Sequence, residues 1–474
     1  MARANFQSQF RRHGSFFSST FWSALFLMPT YHEPDPAPGN GSIGPNEHTG
    51  LLNGHDSSPP PSVFNKLMWY RSDRRVWVRL PSEAFYLSYA TLVSNYVNIL
   101  LVLVPLGMAS GAAGWNPTAT FILNFFAIIP LASLLSFATE ELAATLGETL
   151  GGLLNATFGN AVELIVSIIA LQKNEIRIVQ ASMLGSILSN ILLVLGCCFF
   201  IGGIKHHEQT FNSTVASTMS SLMAVASASL IIPATLYAAL AGSKSDPLGN
   251  ILILSHGTAI ILLIVYIMYL YFQLKSHSDL FESRSGAALE SQDHQVEETN
   301  GNPQILNPWA AGVLLLVVTV AVAICAEFLV GTIDNIVESA NISRTFIGLI
   351  LIPIVGNAAE HVTAIVVAYK NKMDLAIGVA IGSSLQIALF VTPFLVILGW
   401  IFNRDMTLHF QTFETVAFFV SGLVVTLLIQ DGKSNYLEGG LCLGMYVIIA
   451  LAFYVYPDDA KDIPSWFKTF ASPA

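Results

Sequence analysis

The chain has 474 residues, of which 53% are hydrophobic and 11% are charged, and its formal net charge is −10. Soluble domains carry about 25% charged residues, so this composition excludes an ordinary soluble enzyme and an acidic disordered protein. The negative net charge argues against nucleic-acid binding, which needs a basic surface. The class that fits is a protein with several membrane-spanning segments.

Residues 1–80 differ in composition from the rest of the chain. The stretch from Tyr31 to Pro61 is rich in Pro, Gly, Asn and Ser, and it has too little apolar surface to offset the entropy lost on ordering. The apolar run Phe21–Met28 is short, and no small-residue cleavage site of a signal peptide follows it. We therefore expect a disordered N-terminal tail.

From residue 85 onward, long apolar runs alternate with short polar breaks. A membrane-spanning helix needs about 20 apolar residues, and eleven runs qualify. They lie near 85–106, 120–142, 151–171, 178–202, 214–241, 250–273, 309–331, 344–369, 374–401, 411–430 and 437–456. The strands of a membrane barrel would instead alternate apolar and polar residues. We predict an all-α polytopic membrane protein with about eleven transmembrane helices embedded in the lipid bilayer.

The placement of basic residues predicts the orientation of the chain in the membrane. Four arginines, Arg71, Arg74, Arg75 and Arg79, precede the first span, and basic residues favour the cytosolic side. We therefore expect the N-terminal tail in the cytosol. An odd number of spans then places the C-terminal tail, residues 457–474, on the opposite side.

An internal repeat divides the membrane region into two halves. The motif GNAVE at 159–163 recurs as GNAAE at 356–360, an offset of 197 residues. Without gaps, residues 159–192 match 356–389 at 11 of 34 positions, including a shared Lys-Asn and a shared Gly-Ser. Apolar composition alone does not produce such matches in register, so we interpret them as a true repeat.

The repeat predicts an inverted architecture. The first half comprises 120–273 and the second 309–456, with five predicted spans each. Because five is odd, equivalent segments enter the membrane from opposite sides, as in secondary transporters that bind substrate where their halves meet. The first span, 85–106, lies outside the symmetry, and the polar link 275–308 joins the halves.

One carboxylate lies inside a predicted span of each half. Glu163 and Glu360 occupy equivalent positions of the repeat, and no Lys or Arg lies in the interior of either span. Intramembrane carboxylates are energetically costly and mark functional sites by default. The alternative is a protonated glutamic acid hydrogen-bonded to a neighbouring helix, which suits one isolated residue better than a symmetry-related pair.

A Gly-Asn step precedes each carboxylate, at Gly159-Asn160 and Gly356-Asn357. Glycine weakens a helix and asparagine tolerates non-helical backbone, so we expect the helix to unwind locally at each step. Unwinding leaves backbone carbonyl oxygens without hydrogen bonds. Within a membrane, such oxygens are tolerated only where they line a cavity or bind a cation. Two carboxylates among neutral oxygens make a hard site of formal charge about −2, which suits a divalent cation. No Cys or His cluster favours zinc or copper.

Further oxygens lie in the span that follows each carboxylate. The aligned segments GSILS and GSSLQ present four polar side chains, Ser186, Ser189, Ser383 and Gln386. Isolated polar residues in a membrane helix more often hydrogen-bond a neighbouring helix. Both interpretations stay open for these four residues.

Three more titratable residues are candidates for a proton pathway or a gate. Glu140 and Glu327 lie near the ends of corresponding spans, where they either guide ions toward the centre or lie at the membrane interface in water. His361 adjoins Glu360, whereas Leu164 follows the other carboxylate. It either tunes proton coupling or is a packed histidine.

The two signatures resemble a known family. GNAVELIVSIIAL with IRIVQASMLGSILSNILLVLG, and GNAAEHVTAIVVAYKNKMDLAIGVAIGSSLQIALFV, resemble the paired repeats of calcium/proton exchangers, the vacuolar CAX branch of the cation/calcium exchanger superfamily. The resemblance covers about residues 80–457. It implies a one-plus-five-plus-five arrangement of spans, a vacuolar membrane location with a luminal C-terminus, and Ca²⁺ uptake from the cytosol into an acidic organelle in exchange for H⁺.

The resemblance also implies roles for individual residues. The two repeat glutamates would bind the cation, and the four polar residues of the succeeding helices would line the site. An acidic regulatory helix between the halves would correspond to the link, where Glu290, Asp293, Glu297 and Glu298 share one helical face. Without the resemblance, the link is better interpreted as a solvated linker.

Two alternatives to proton-coupled calcium transport remain. A sodium-coupled calcium exchanger of the same superfamily would use the same repeat. An intramembrane enzyme would need a recognisable catalytic set, and the sequence shows no HExxH motif, paired intramembrane aspartates or nucleophile–base pair. We expect a transporter with no cofactor, for which Ca²⁺ and H⁺ are substrates, and the oligomeric state stays open.

Overall fold

The computed structural model describes residues 96–146, 148–240, 247–277 and 306–456. The predicted N-terminal tail, the start of the first span and the C-terminal tail lie outside these ranges. Most of the link lies outside them as well, including the proposed acidic face at Glu290, Asp293, Glu297 and Glu298.

The first half is built from helices of very different length. A 3₁₀ turn at Tyr96–Val102 leads into the first of them. In chain order they are α1 (Leu103–Ala112), α2 (Pro117–Leu146), α3 (Glu148–Phe158), α4 (Ala161–Gln172), α5 (Ile176–Leu188), α6 (Leu195–His206), α7 (Ser213–Leu240) and α8 (Pro247–Tyr271). A π-helical turn, Ser189–Val194, joins α5 to α6 without a break, and another, Phe272–Ser276, extends α8.

The second half has a similar order, except that it has no counterpart of α1 and that two helices stand in place of α2. Its helices are α9 (Pro308–Gly331), α10 (Ile333–Ala340), α11 (Arg344–Phe346), α12 (Ile352–Gly356), α13 (Ala358–Tyr369), α14 (Met373–Gln386), α15 (Thr392–Ile401), α16 (Thr412–Leu428) and α17 (Tyr436–Val455). π-Helical turns at Ile347–Leu351 and Ile387–Val391 join α11 to α12 and α14 to α15. Two short antiparallel strands, β1 (Glu208–Thr210) and β2 (Lys433–Asn435), pair across the halves.

The helices account for every predicted apolar run in the described ranges. Seven continuous helical segments are long and apolar enough to cross a membrane, and two bent pairs of helices raise the number to nine. Two shorter apolar helices, Val97–Ala112 and Thr412–Leu428, correspond to the first and tenth predicted spans. The all-α polytopic class is therefore confirmed. The tenth run forms a helix shorter than a bilayer normally requires, and the first run is described only from residue 96 onward.

Part of the repeat has a structural role. Asn174 and Asn371, the asparagines of the shared Lys-Asn, have φ of 63° and 62°. Each lies just after the end of α4 or α13, where a left-handed residue terminates a helix and asparagine is one of the residues that adopts this conformation. This pair of residues turns the chain and does not belong to the site.

Candidate cation site

Each half contains one broken helix. The α3–α4 pair is bent by 48°, and the Arg344–Gly356 segment is bent by 56° relative to α13. Both breaks lie at the Gly-Asn steps, where Asn160 and Asn357 leave helical geometry. The interruption therefore occurs where the sequence predicts it, and it ends one helix and begins another at the depth of the carboxylates.

The two glutamates lie in the first turn of the helices that begin at the breaks. Glu163 is in the first turn of α4 and Glu360 in the first turn of α13, where the helix dipole favours negative charge. A Cβ atom added to Gly356 would lie 2.7 Å from Oε1 of Glu163, so this carboxylate faces the break of the other half. The Glu360 carboxyl lies beside Ser383 and Asn190 and interacts electrostatically with Glu163.

A hydrogen-bonded network joins the first break to α14. The Asn160 amide donates to Oε1 of Gln386 at 2.7 Å, and the Ser383 hydroxyl donates to Oδ1 of Asn160 at 2.9 Å. The Asn190 amide donates to the Ser383 hydroxyl at 3.0 Å. Both polar groups of the Asn160 side chain are thus satisfied, and the network holds the Gly-Asn step of one half against the following helix of the other.

The second break is joined to α5 less tightly. The Asn357 amide donates to the backbone oxygen of Ser186 at 3.5 Å, the limit of a hydrogen bond. The Ser189 hydroxyl lies 3.2 Å from Nε2 of His361. The equivalent helices therefore meet in both halves, with a strong contact on one side and a weak one on the other.

Several acceptor oxygens around Glu360 lack a donor. Oε2 of Glu360, Oδ1 of Asn357 and Oδ1 of Asn190 are buried and have no hydrogen-bond partner among the described residues. A buried unsatisfied acceptor costs about 1–3 kcal/mol, and a cation bound against any of these oxygens would offset that cost. Such hard carboxylate and amide oxygens are the ligands that Ca²⁺ prefers.

The ligand set that can be assembled here consists mainly of neutral oxygens. Within the described ranges, no cluster of three or more His, Cys, Asp and Glu side chains could hold a metal ion. A cation between the two glutamates would therefore complete its shell with amide, hydroxyl and backbone oxygens. Such a donor set would differ from that of a zinc or copper site.

The largest cavity beside the site leads to Glu360. This cavity, which we call the vestibule, has a volume of about 380 Å³ and is lined by α2, α3, α8, α13 and α14. Ser383 and Gln386 line it together with Glu360, and so does Glu140, whose Oε1 accepts a hydrogen bond from Ser136 at 3.3 Å. Of the two carboxylates proposed to guide ions, Glu140 therefore lines the same cavity as Glu360.

A second cavity lies against Glu163 and is nearly closed. Its volume of about 10 Å³ is close to the space that one water molecule needs. Ser167, Ser182, Ser186 and Gly356 line it with Glu163, and the remaining lining is apolar. We call it the closed cavity.

The two cavities are counterparts under the internal repeat. Residues 197 positions apart line one cavity or the other. These pairs are Asn155 with Ile352, Gly159 with Gly356, Glu163 with Glu360, Val166 with Thr363, Ser182 with Val379, and Ser186 with Ser383. The same structural element is therefore open in one half and closed in the other.

Helix α2 shows that the cavities lie toward opposite ends of the helices. Phe125 and Ile128 contact the closed cavity, whereas Ser136, Thr139 and Glu140 line the vestibule. The centres of the two groups are about twelve residues apart, which at 1.5 Å per residue corresponds to about 18 Å along the helix. Gln273 near the end of α8 also lines the vestibule, which therefore opens on the side of the link.

One glycine contact distinguishes the two halves. An added Cβ at Gly185 would overlap the backbone oxygen of Leu349, so α5 and the π-helical turn before the second break are in close contact. The equivalent residues are Gly382 and Gly152, and an added Cβ at Gly382 has no atom within 4 Å. The helix pair that is in contact in one half is separated in the other, and the vestibule occupies the space.

Two candidates from the sequence lie away from the vestibule. Glu327 is exposed near the end of α9, and its carboxylate lies 3.4 Å from the Lys173 ammonium group, which also donates to the Glu327 backbone oxygen. His361 lies against Ser189 at the interface of the halves.

Asn190 contacts Ser383 and was not predicted from the sequence. Its only signal in the sequence is that it is an asparagine within an apolar span.

The fold is that of an all-α polytopic membrane protein, and its two helix breaks bring Glu163 and Glu360 close enough to interact electrostatically. The sodium/calcium exchanger protein family matches residues 116–275 and 310–455. The chain belongs to this family. Membership confirms the expectation of an ion exchanger rather than an enzyme, and it supports the resemblance to cation/calcium exchangers.

Individual relatives agree with this assignment. The vacuolar calcium ion transporter of Schizosaccharomyces pombe is 52% identical over 368 residues, which cover 78% of this chain and 87% of the relative. The Ca(2+)/H(+) antiporter of Aphanothece halophytica is 45% identical over 363 residues, or 76% and 96% of the two chains. The structure of native YfkE matches with a TM-score of 0.64 and 37% identity, covering 76% of this chain and 100% of YfkE.

Proposed function

We propose that the protein is a vacuolar antiporter that moves Ca²⁺ from the cytosol into an acidic organelle in exchange for H⁺. The observation that carries this proposal is the pair of glutamates at equivalent helix breaks, one beside an open cavity and the other beside its closed counterpart. The names of similar proteins, a vacuolar calcium ion transporter and a Ca(2+)/H(+) antiporter, support the choice of ions and membrane.

The site binds the cation through shared ligands. Glu163 and Glu360 supply the two negative charges, and Ser383 and Asn190 lie beside Glu360. The Oδ1 atoms of Asn357 and Asn190, which have no donor among the described residues, complete the shell. With both carboxylates ionised, Ca²⁺ enters through the vestibule past Glu140, which attracts it electrostatically. Gly159, Asn160 and Gly356 shape the site by interrupting the helices.

Protons and Ca²⁺ compete for the two carboxylates. On the acidic side, protonation removes the charge that holds the cation, so Ca²⁺ leaves and the protonated site returns. For the site to face the other side of the membrane, the vestibule must close and the closed cavity must open. In this transition Gly185 separates from Leu349. The equivalent residues of the repeat, Gly382 and Gly152, come into contact instead. Two glutamates account for two protons per cycle.

The orientation follows from the predicted topology. If the N-terminal tail is cytosolic, the link is cytosolic too, and the vestibule on the side of the link opens to the cytosol. The C-terminal tail is then luminal. The structure accordingly corresponds to the state that accepts Ca²⁺ from the cytosol.

Calcium uptake into reconstituted vesicles tests the proposal. We expect an outward proton gradient to drive uptake and an outward sodium gradient at constant pH to drive none. Sodium-driven uptake without a pH gradient would instead support the sodium-coupled alternative. Ca²⁺ uptake that is equally fast without a proton gradient and without a sodium gradient would contradict the antiport mechanism.

A further inference from the structure

The closed cavity is lined by two hydroxyl groups that have no hydroxyl counterpart in the other half of the repeat. Besides Ser186, which has a serine counterpart, it is lined by Ser167 and Ser182. The equivalent positions of the other half carry Ala364 and Val379. A cavity that is nearly closed in this state therefore carries two polar groups where the other half has apolar side chains.

Ser167 in particular lacks a partner. It is 1% exposed, and its hydroxyl forms no hydrogen bond among the described residues. Buried serines in membrane helices usually donate to the carbonyl one turn back, as Ser384 and Ser421 do at 2.9 Å and 2.6 Å. A hydroxyl that forgoes this bond costs free energy, and a ligand that entered the cavity would supply the missing partner.

The geometry relates Ser167 to the proposed ion site. It follows Glu163 by four residues in α4, so the two side chains lie on the same face of the helix, one turn apart. Ser182 lines the same cavity from α5. The hydroxyls thus extend from Glu163 away from the vestibule, toward the side of the membrane that the vestibule does not reach.

We propose that Ser167 and Ser182 form an exit site, which coordinates Ca²⁺ as it leaves Glu163 on the face opposite the vestibule. This inference rests on the proposed function and deepens it. Hydroxyl oxygens are hard neutral ligands, so they replace part of the cation's hydration without holding it as a carboxylate would. The exit site forms when the closed cavity opens, and the second half needs none because the vestibule is already wide.

Transport in the two directions tests the exit site. Ser167→Ala and Ser182→Val install the residues of the other half. We expect each to raise the KM for Ca²⁺ presented on the face opposite the vestibule about tenfold, and to leave the KM on the vestibule face within about twofold. Equal changes on both faces, or no change on either, would overturn the proposal.

Ser421→Ala is the matched control. Ser421 is fully buried, lines neither cavity and donates to the Ala417 carbonyl of its own helix. We expect unchanged KM values on both faces, so an effect of Ser167→Ala cannot be attributed to losing any buried hydroxyl. Absence of proton-driven uptake by the unmodified protein would contradict the proposed function itself. Normal uptake by the unmodified protein, together with unchanged KM values on both faces for Ser167→Ala, would contradict only the exit site.

Accessibility provides a second readout that does not depend on kinetics. In a background without the four native cysteines, Ser167→Cys and Thr363→Cys are treated with a membrane-impermeant thiol reagent during transport. We expect Ser167→Cys to react only from the face opposite the vestibule and Thr363→Cys only from the vestibule. Reaction of Ser167→Cys from the vestibule, or from neither face during active transport, would contradict the exit site.

Discussion

The two halves of the repeat share their signature motif but differ in packing. In the first half α5 contacts Leu349 through Gly185, and the cavity beside Glu163 has a volume of about 10 Å³. In the second half the space around Gly382 is open, and the cavity beside Glu360 has a volume of about 380 Å³. One structure thus shows both arrangements that an inverted repeat can adopt, and exchanging them would alternate the access of the site.

The largest effect is expected from filling the glycine contact. Gly185→Val forces a side chain against the Leu349 backbone, which cannot move as a side chain can, and we expect a loss of about 3 kcal/mol or more of stability. Gly382→Val is the matched control, because the space around it is open. We expect the first variant to melt at a clearly lower temperature in detergent and the second to melt like the unmodified protein.

Gly382→Val also sharpens the comparison of the two states. If the vestibule closes by packing Gly382 against Gly152, the added valine blocks closure while leaving the open state intact. We expect this variant to bind Ca²⁺ normally and to lose transport by at least about tenfold. Normal transport would show that the two halves do not exchange their packing.

The two asparagines of the repeat are expected to differ. Asn160→Ala removes the donor to Gln386 and the acceptor of the Ser383 hydroxyl and should cost about 1–3 kcal/mol of stability. Asn357→Ala removes a weak bond and an oxygen without a donor, so we expect little loss of stability and about tenfold weaker Ca²⁺ binding. Thermal melting and calcium titration of both variants measure these effects; equal behaviour of the two would argue against the assigned ligands.

The smallest effects are expected at the charged residues near the ends of α2 and α9. Glu140→Gln removes a charge from the vestibule, and we expect about threefold weaker apparent Ca²⁺ affinity at low salt, with the difference shrinking as salt screens it. Glu327→Gln breaks an exposed ion pair with Lys173 and should change stability by less than about 1 kcal/mol. Uptake measured at two ionic strengths distinguishes the vestibule carboxylate from the surface one.

The sequence was sufficient to predict where the two broken helices lie and that each carries a glutamate just after its break. The repeat offset aligned Glu163 with Glu360, and the Gly-Asn steps marked the places where the helices bend. These predictions succeed because a carboxylate and a helix-breaking pair are rare inside apolar spans, so they stand out without an alignment. The shared Lys-Asn stood out equally, yet it terminates helices through Asn174 and Asn371.

The asymmetry of the site could not be predicted from the repeat. Asn190 has Ile387 as its counterpart and Ser167 has Ala364, so a search for matched residues passes over both. The difference between Gly185 and Gly382 depends on which segment lies opposite each glycine, and the residues themselves are identical. Packing between distant parts of the chain decides which cavity is open.

The central claim, that the two glutamates form one shared Ca²⁺ and H⁺ site, is tested most directly by measuring proton-driven Ca²⁺ uptake by Glu163→Gln and Glu360→Gln in vesicles. Glu338→Gln is the matched control, because Glu338 is exposed in α10 and lines neither cavity. We predict that each intramembrane variant is inserted and folded but lacks proton-driven uptake, while the control transports normally. Near-normal uptake by either Glu163→Gln or Glu360→Gln would contradict the shared site.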